Sequence, residues 1–253
     1  MSTNGNNKKR LSPKTKLIII PIAAAYIVLS YFALERGNSL LIGIVLILLS
    51  MIPFLLRFER QERKARELML IAVMAAVATV SRIPFATLLP GFSPVTFVVI
   101  ISGVVFGAEA GWMVGATTAL VSNFFLGQGA WTPWQMFAWG MVGYTSGLFA
   151  HRSLRRRRRL PLTLFGLAWG FLYGWIMNIT LALDQWVQTR SWEAVVGRYV
   201  TALPFEIIHA IANVFFILVF SRSWIALLER YRRKYGVLER REDDTNEAIT
   251  VVK

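Results

Sequence analysis

The stretch Asn123–Tyr144, NFFLGQGAWTPWQMFAWGMVGY, decides how the rest of the chain is interpreted. An apolar run ends near Asn123, a short turn follows at Gly127–Gly129, and a second apolar run begins at Thr132. Two glycines permit a tight turn, and Pro133 suits the first turn of a helix, where its missing N–H costs nothing. The stretch predicts two apolar helices joined by a tight turn.

Tryptophan and glutamine crowd this turn and the helix after it: Trp131, Trp134, Trp139, Gln128 and Gln135. Gln135 and Trp139 are four residues apart and share a helix face, which Trp134 and Trp131 can join. Tryptophan favours either a membrane–water boundary or the wall of a pocket for a flat organic ligand. Because amides accompany the rings, we interpret this face as a pocket wall. An interfacial anchor belt is the alternative.

The composition is that of a membrane protein. The chain has 253 residues, of which 55% are hydrophobic and 17% charged, with no cysteine and a mean hydropathy of +0.51. Its apolar residues form blocks near the ~20 residues that cross a bilayer as a helix. The absence of cysteine excludes disulfides and thiolate metal sites. We predict an all-α polytopic membrane protein, with a six-helix core preceded by two extra transmembrane helices.

The apolar blocks give eight predicted spans, at residues 16–34, 39–57, 67–84, 94–108, 110–127, 132–150, 161–182 and 200–221. The predicted divisions are an N-terminal tail (1–15), a two-span appendage (16–57), a basic linker (58–66), a six-helix substrate-binding core (67–221) and a C-terminal tail (222–253).

The distribution of charge predicts the orientation. If the N-terminus is cytoplasmic, the inside segments hold 24 of the 28 Lys and Arg residues. The positive-inside rule then places both termini in the cytoplasm. The predicted location is the plasma membrane of a prokaryotic cell, which the chain crosses several times. The net charge of +14 does not indicate nucleic acid, because the run Arg155–Arg159 is short and lies between two spans. We interpret this run as a topology anchor in contact with anionic membrane lipid.

Several polar residues fall inside apolar runs: Asn123, Asn178, Glu206, His209 and Asn213. Such groups usually face the bundle interior and mark a site or an interhelical hydrogen bond. The orientation puts most of them at one outward level with the tryptophans. The predicted substrate-binding residues are Arg82, Asn123, Gln128, Trp131, Trp134, Gln135, Trp139, Asn178, Glu206 and His209.

Structural alternatives stay open for three of these residues. Arg82 could extend to water instead of facing a pocket, and Glu206 could pair with Arg82 or Arg198. His209 could be a hydrogen-bonded core histidine. A membrane enzyme that uses Glu206 and His209 as acid and base, acting on a lipid or isoprenoid, is a second function class. A non-catalytic scaffold is a third.

Catalytic signatures are absent from the chain. It contains no G-x-x-x-x-G-K-[ST] loop, no H-E-x-x-H and no G-x-S-x-G. Two histidines without cysteine make a protein-built zinc centre an unfavourable interpretation. We predict no metal, no cofactor and no enzymatic activity, and instead a binding protein without an energy source of its own.

The third predicted span carries a stripe of small residues. Ala72 and Ala76 are four residues apart, with Ala75 and Thr79 alongside. In lipid, small residues at this spacing let another helix approach closely. The stripe predicts either a docking face for a partner or packing within the bundle.

Taken together, residues 67–221 resemble the substrate-binding S components of energy-coupling factor (ECF) vitamin transporters. The resemblance implies six helices, an outward pocket capped by loops, and an A-x-x-x-A docking face, here Ala72 and Ala76. It also implies three capping loops, here Arg82–Pro94, Gly127–Thr132 and Leu183–Tyr199. The partners implied are a vitamin, a transmembrane coupling subunit and two ATPase subunits. The first two predicted spans have no counterpart in the usual six-helix S component.

Within that family, residues 91–144 look similar to the cobalamin or cobalamin-precursor group. A large corrinoid would suit an opening lined by tryptophans and amides, as would flavins, pterins or queuosine precursors. The mechanism that the resemblance implies is capture from outside, docking on the coupling subunit, and toppling of the whole S component to release the vitamin inside.

Overall fold

The computed structural model describes residues 39–59, 64–150 and 159–237. These residues form seven α-helices and no strand. In chain order the helices are α1 (Ser39–Glu59), α2 (Ala65–Leu88), α3 (Val95–Phe106), α4 (Ala108–Leu126), α5 (Thr132–Phe149), α6 (Arg159–Thr189) and α7 (Trp192–Tyr235). The first predicted span, the predicted N-terminal tail and residues 238–253 of the predicted C-terminal tail lie outside the described residues, as do residues 155–158 of the predicted topology anchor.

The helices confirm an all-α polytopic membrane protein. Among the described residues, α2, the first 21 residues of α6, and α7 are long and apolar enough to cross a membrane, and shorter apolar segments lie in α1 and α3. The apolar blocks therefore predicted the right class of fold. The division into a two-span appendage and a six-span core remains a prediction.

The outer ends of α6 and α7 differ from expectation. Leu183–Tyr199 was expected as a capping loop, but α6 continues to Thr189 and α7 begins at Trp192. Arg190 turns the chain with a left-handed φ of 51°, and the Ser191 side chain caps α7 by accepting from the Ala194 N–H at 3.3 Å. The loop that the resemblance implied is therefore wrong here, because a polar segment at a membrane surface can continue the helices on either side. The expected loop Arg82–Pro94 is also shorter than predicted, since α2 continues to Leu88.

The last helix is much longer than one span. Its 44 residues extend over about 66 Å at the usual rise, roughly twice the hydrocarbon thickness. Near its inner end Arg232 Nη1 donates to the Val105 carbonyl at 2.6 Å, one of the carbonyls that lack a partner within α3. The extension beyond the expected limit near Ser221 is thus attached to the end of α3.

Helix α3 lies at the centre of the bundle. Of its 12 residues, 11 are buried, and it contacts α2, α4, α5, α6 and α7. At about 18 Å it is shorter than the hydrocarbon layer, which is ~30 Å thick. The space beyond its first turn is covered by the loop at residues 89–94, and this space contains the cavity described below.

Glycine contacts hold the outer helices together in two antiparallel pairs. In the α4–α5 pair, a Cβ added at Gly143 would collide with the backbone of Gly111, and one added at Gly115 would collide with the backbone of Trp139. In the α6–α7 pair, a Cβ at Gly170 would collide with Ala210. Since lipid supplies no hydrophobic drive between helices, close backbone packing of this kind stabilises them.

Helix α1 packs on α4, α5 and α6. Its Phe54 ring stacks on Trp112 at a centroid distance of 5.3 Å and 4° between planes, and it meets the edge of Tyr144 at 5.0 Å. Met51, which is 3% exposed, completes the contact. The second of the two extra spans is therefore attached to the core by aromatic contacts.

We expect Gly143→Ala to lower the stability of the protein, because the added methyl group would force the α4 and α5 backbones apart. Overpacking of this kind costs about 1–3 kcal/mol. Gly197→Ala is the matched control, since nothing lies within 4 Å of the position that its methyl group would take. Thermal unfolding in detergent measures both. An equal melting temperature for Gly143→Ala and the parent would contradict close backbone packing at this contact.

Candidate ligand-binding site

A cavity of about 570 Å³ opens between α2, α5, α6, α7 and the loop at residues 89–94. Its volume falls within the range of ~300–1,000 Å³ typical of small-molecule sites. It lies at the end of the bundle that the charge distribution places outside. Seven of the ten predicted binding residues line it: Arg82, Trp131, Trp134, Gln135, Trp139, Asn178 and His209.

The first wall of the cavity is fixed by a polar network around Asn123, which is 1% exposed. Arg82 Nη1 donates to Asn123 Oδ1 at 2.7 Å and to Ser122 Oγ at 2.5 Å. Asn123 Nδ2 donates to Thr132 Oγ1 at 2.9 Å and to Gln135 Oε1 at 2.8 Å. The network joins α2, α4 and α5, and it orients the Arg82 and Gln135 side chains that reach the cavity.

Arg82 faces the cavity rather than extending to water. Helix α2 continues past it to Leu88, with Pro84 inside the helix. The Arg82 guanidinium carbon lies 4.8 Å from the centre of the Trp139 ring, within cation–π range. Neutral oxygens and an aromatic face therefore surround this guanidinium.

The floor of the cavity depends on Thr96, in the first turn of α3. Its hydroxyl accepts from Trp139 Nε1 at 3.1 Å and lies 2.8 Å from His209 Nε2. The Tyr173 ring contacts both neighbours, at 5.1 Å from Trp139 and at 5.0 Å, edge-on, from His209. The Tyr173 side chain also lies close to the Gln135 amide. His209 is thus a hydrogen-bonded histidine that also lines the cavity.

The second polar wall is formed by α6 and α7. Asn178 Nδ2 donates to the Gly174 carbonyl at 2.9 Å, and Asn178 Oδ1 accepts from Arg198 Nε at 3.2 Å. The Asn178 amide is therefore held in one orientation and keeps Arg198 at the cavity.

The turn between α4 and α5 positions Trp131 at the opening. Gly127 has a φ of 105°, which favours glycine, and a Cβ at Gly129 would collide with the Trp131 ring. Gln128 stabilises the turn by donating to the Leu120 carbonyl at 3.0 Å and accepting from Thr132 Oγ1 at 2.9 Å. Trp131 is half exposed at 50%.

Three predicted residues do not line the cavity. Asn123 lies behind the wall, and Gln128 stabilises the turn. Glu206 faces α6, since a Cβ at Gly174 would collide with its carboxyl group. Glu206 is 1% exposed, and neither oxygen has a well-aligned hydrogen bond to a described group, although the Trp175 side chain lies close.

The contacts around α7 bear on the structural alternatives. Among the described side chains, the hydrogen bonds of Arg82 and Arg198 go to neutral oxygens and not to Glu206. Glu206 faces α6 while His209 contacts Thr96, so the described contacts do not join the two as an acid–base pair. Asn213 makes an interhelical hydrogen bond, donating to the Gly166 carbonyl at 3.0 Å.

Sequence reasoning missed several lining residues, chiefly Arg198, Phe205, Tyr173 and Phe85. A helical signal existed for two of them, because Arg198, Phe205 and His209 are spaced by seven and four. The prediction instead grouped His209 with Glu206 and Asn213, which face α6. No pattern in the sequence marked Tyr173 or Phe85 among many aromatic residues.

The predicted docking residues Ala72 and Ala76 are exposed on α2, while Ala75 and Thr79 are buried in the bundle. The exposed alanines lie among large apolar side chains that are also exposed, such as Val73 and Val80. The stripe of small residues is therefore divided between the outside and the interior of the bundle.

The side chains at the cavity are not those of a metal centre. Among the described residues, no group of three or more His, Cys, Asp or Glu side chains could hold a metal ion. The polar groups at the cavity are amides, hydroxyls, guanidiniums and one imidazole.

The helices and the cavity define a polytopic membrane protein that carries a small-molecule pocket near one membrane face. Residues 62–225 match the family described as "ECF-type riboflavin transporter, S component", and the chain belongs to this family. It is an S component of a vitamin uptake transporter, a class that works with a transmembrane coupling subunit and ATPase subunits. The match does not support the expected cobalamin subgroup. No curated protein and no solved structure matches the chain.

We expect Thr96→Val to destabilise the protein by about 1–3 kcal/mol, because it leaves two buried groups, Trp139 Nε1 and His209 Nε2, without their partner. Thr118→Val is the matched control. Thr118 is equally buried, but its hydroxyl bonds only to the Val114 carbonyl in its own helix. Thermal unfolding of both variants in detergent should show a larger loss for Thr96→Val. Equal losses would mean that the Thr96 hydroxyl contributes no more to the stability of the protein than the Thr118 hydroxyl does.

Proposed function

We propose that this S component captures riboflavin from outside the cell, in the plasma membrane of a prokaryote. The observation that carries the proposal is the cavity itself, in which aromatic rings stand beside hydrogen-bonding side chains. Trp139 and Tyr173 form one aromatic wall, and Phe85, Trp134 and Phe205 lie around it. An isoalloxazine ring system is flat and apolar on its faces and carries acceptors and a donor on its edge, so it needs both kinds of group.

The size of the cavity supports a flavin over cobalamin. A cobalamin is several times larger than a tricyclic flavin, whereas a cavity of about 570 Å³ is suited to an ordinary vitamin. The description of the matched family points to riboflavin as well. Gln135 and Asn178 present amides to the cavity, where they can bind the ring edge or the ribityl hydroxyls.

Docking on the coupling subunit is assigned to the exposed face of α2 around Ala72 and Ala76. Two small side chains four residues apart leave a shallow groove in a face otherwise covered by valine and leucine. Another transmembrane helix can approach closely there. The loops at residues 89–94 and 127–131 would close over the bound vitamin before transport.

Riboflavin binding to the purified chain, followed by quenching of flavin fluorescence, tests the pocket. We expect saturable binding that Gln135→Ala weakens about three- to tenfold, because it removes one hydrogen-bonding amide from the wall. Gln185→Ala is the matched control, since Gln185 is exposed on α6 and does not line the cavity. If riboflavin does not bind, its assignment as the captured vitamin is wrong, and the scaffold alternative gains weight.

Uptake by cells that contain the complete transporter tests the docking face. We expect Ala72→Trp to abolish riboflavin uptake and to leave riboflavin binding unchanged, because the indole would fill the groove but lies far from the cavity. Ala168→Trp is the matched control, since Ala168 is also exposed but lies on α6. Normal uptake with Ala72→Trp would show that the coupling subunit docks elsewhere.

A further inference from the structure

The cavity carries positive charge without a described counter-charge. Arg82 and Arg198 both line it, and no Asp or Glu is among its lining residues. Glu206 follows the lining residue Phe205 but is not itself a lining residue; its carboxyl group packs behind Gly174, which does line the cavity. Both arginines are half-buried, and a half-buried cation without an anion beside it attracts a negatively charged group. The described cavity therefore favours a ligand that brings negative charge.

The two guanidinium groups use only some of their hydrogen-bond donors within the described residues. Each guanidinium has five N–H donors in a planar fork. Arg82 donates from Nη1 alone, to Ser122 and Asn123, and Arg198 donates from Nε alone, to Asn178. Among the described residues, Arg82 Nη2 and both terminal nitrogens of Arg198 have no acceptor. The bonds that are made hold both side chains in place, while the remaining donors are available to a ligand.

The first turn of α3 lies close to the positively charged cavity. Ser93, just before α3, lines the cavity, and the first N–H groups of a helix attract anions through the helix dipole. On α3, the Pro94 carbonyl accepts from the Val98 N–H, so the N–H groups before Val98 precede the first bond of the helix ladder. The N-terminus of α3 thus begins directly behind the lining residue Ser93, whose Oγ accepts from the Val95 N–H at 3.4 Å.

We propose that the preferred ligand carries a phosphate ester that Arg82 and Arg198 bind, so that the pocket selects a phosphorylated flavin over neutral riboflavin. This inference rests on the proposed function. Guanidinium groups bind phosphate oxygens in a bidentate manner, and these charge-assisted bonds are shorter and stronger than neutral ones. The aromatic wall at Trp139 and Tyr173 holds the ring system, and the arginines hold the phosphate.

The test compares riboflavin with flavin mononucleotide, which has the same ring system and one added phosphate. Both are titrated into the purified full chain in detergent, and into Arg82→Gln, Arg198→Gln and Arg190→Gln. Arg190 is the matched control, because it is an exposed arginine in the α6–α7 turn that does not line the cavity. Thermal unfolding and circular dichroism show whether each variant is folded.

We expect the parent chain and Arg190→Gln to bind flavin mononucleotide at least about tenfold more tightly than riboflavin. The preference should fall below about threefold in Arg198→Gln and in Arg82→Gln. Equal binding of the two flavins by the parent, or tighter binding of riboflavin, would overturn the phosphate proposal and leave the flavin assignment intact. A preference that persists in both cavity variants would overturn the assignment of the arginines. If neither flavin binds, the proposed function itself is wrong.

Discussion

The site depends on the contact between the backbones of α4 and α5 at Gly111 and Gly143. The two helices are antiparallel, so residues that follow Gly111 on α4 lie beside residues that precede Gly143 on α5. Asn123 and Gln135 both lie beyond this contact, towards the turn that joins the helices, and they are hydrogen-bonded at 2.8 Å. Because no side chain separates the backbones, two short amides suffice to link the helices, and the same link orients the groups that face the cavity.

Helices α6 and α7 are also held together by close backbone contacts at glycines, and here the contact determines which side chains of α7 reach the cavity. Glycines of α6 admit α7 closely, and the α7 residues that meet them, Glu206, Ala210 and Ile217, do not line the cavity. This contact decides the rotation of α7 about its axis. It turns Glu206 towards α6 and leaves Arg198, Phe205 and His209 on the cavity side. The spacing of polar residues along α7 could not determine this rotation, since it permits either face to point inward.

Much of the fold could be predicted from the sequence for a simple reason. Backbone groups in hydrocarbon must be satisfied within their own segment, so long apolar runs become helices wherever they lie in the bundle. That constraint ends at the membrane surface, where the expected loop at Leu183–Tyr199 proved to be helical. Seven of the ten predicted binding residues line the cavity, and two of these, Asn178 and His209, are polar groups in apolar runs, which seldom face lipid. The vitamin could not be read from the same residues, since tryptophans and amides suit several flat ligands.

The length of α7 has a mechanical consequence. Towards its outer end it carries Arg198 and His209; towards its inner end Arg232 is bonded to Val105, and His209 in turn meets Thr96 at the opposite end of α3. Helices α3 and α7 are thus joined at two separated points and form one rigid unit. A force applied to the cytoplasmic end of α7 would be transmitted to the floor of the cavity without bending it. Under the proposed function, admission and release of the vitamin would then be left to the two short loops over the opening, while α3 and α7 move together as one body.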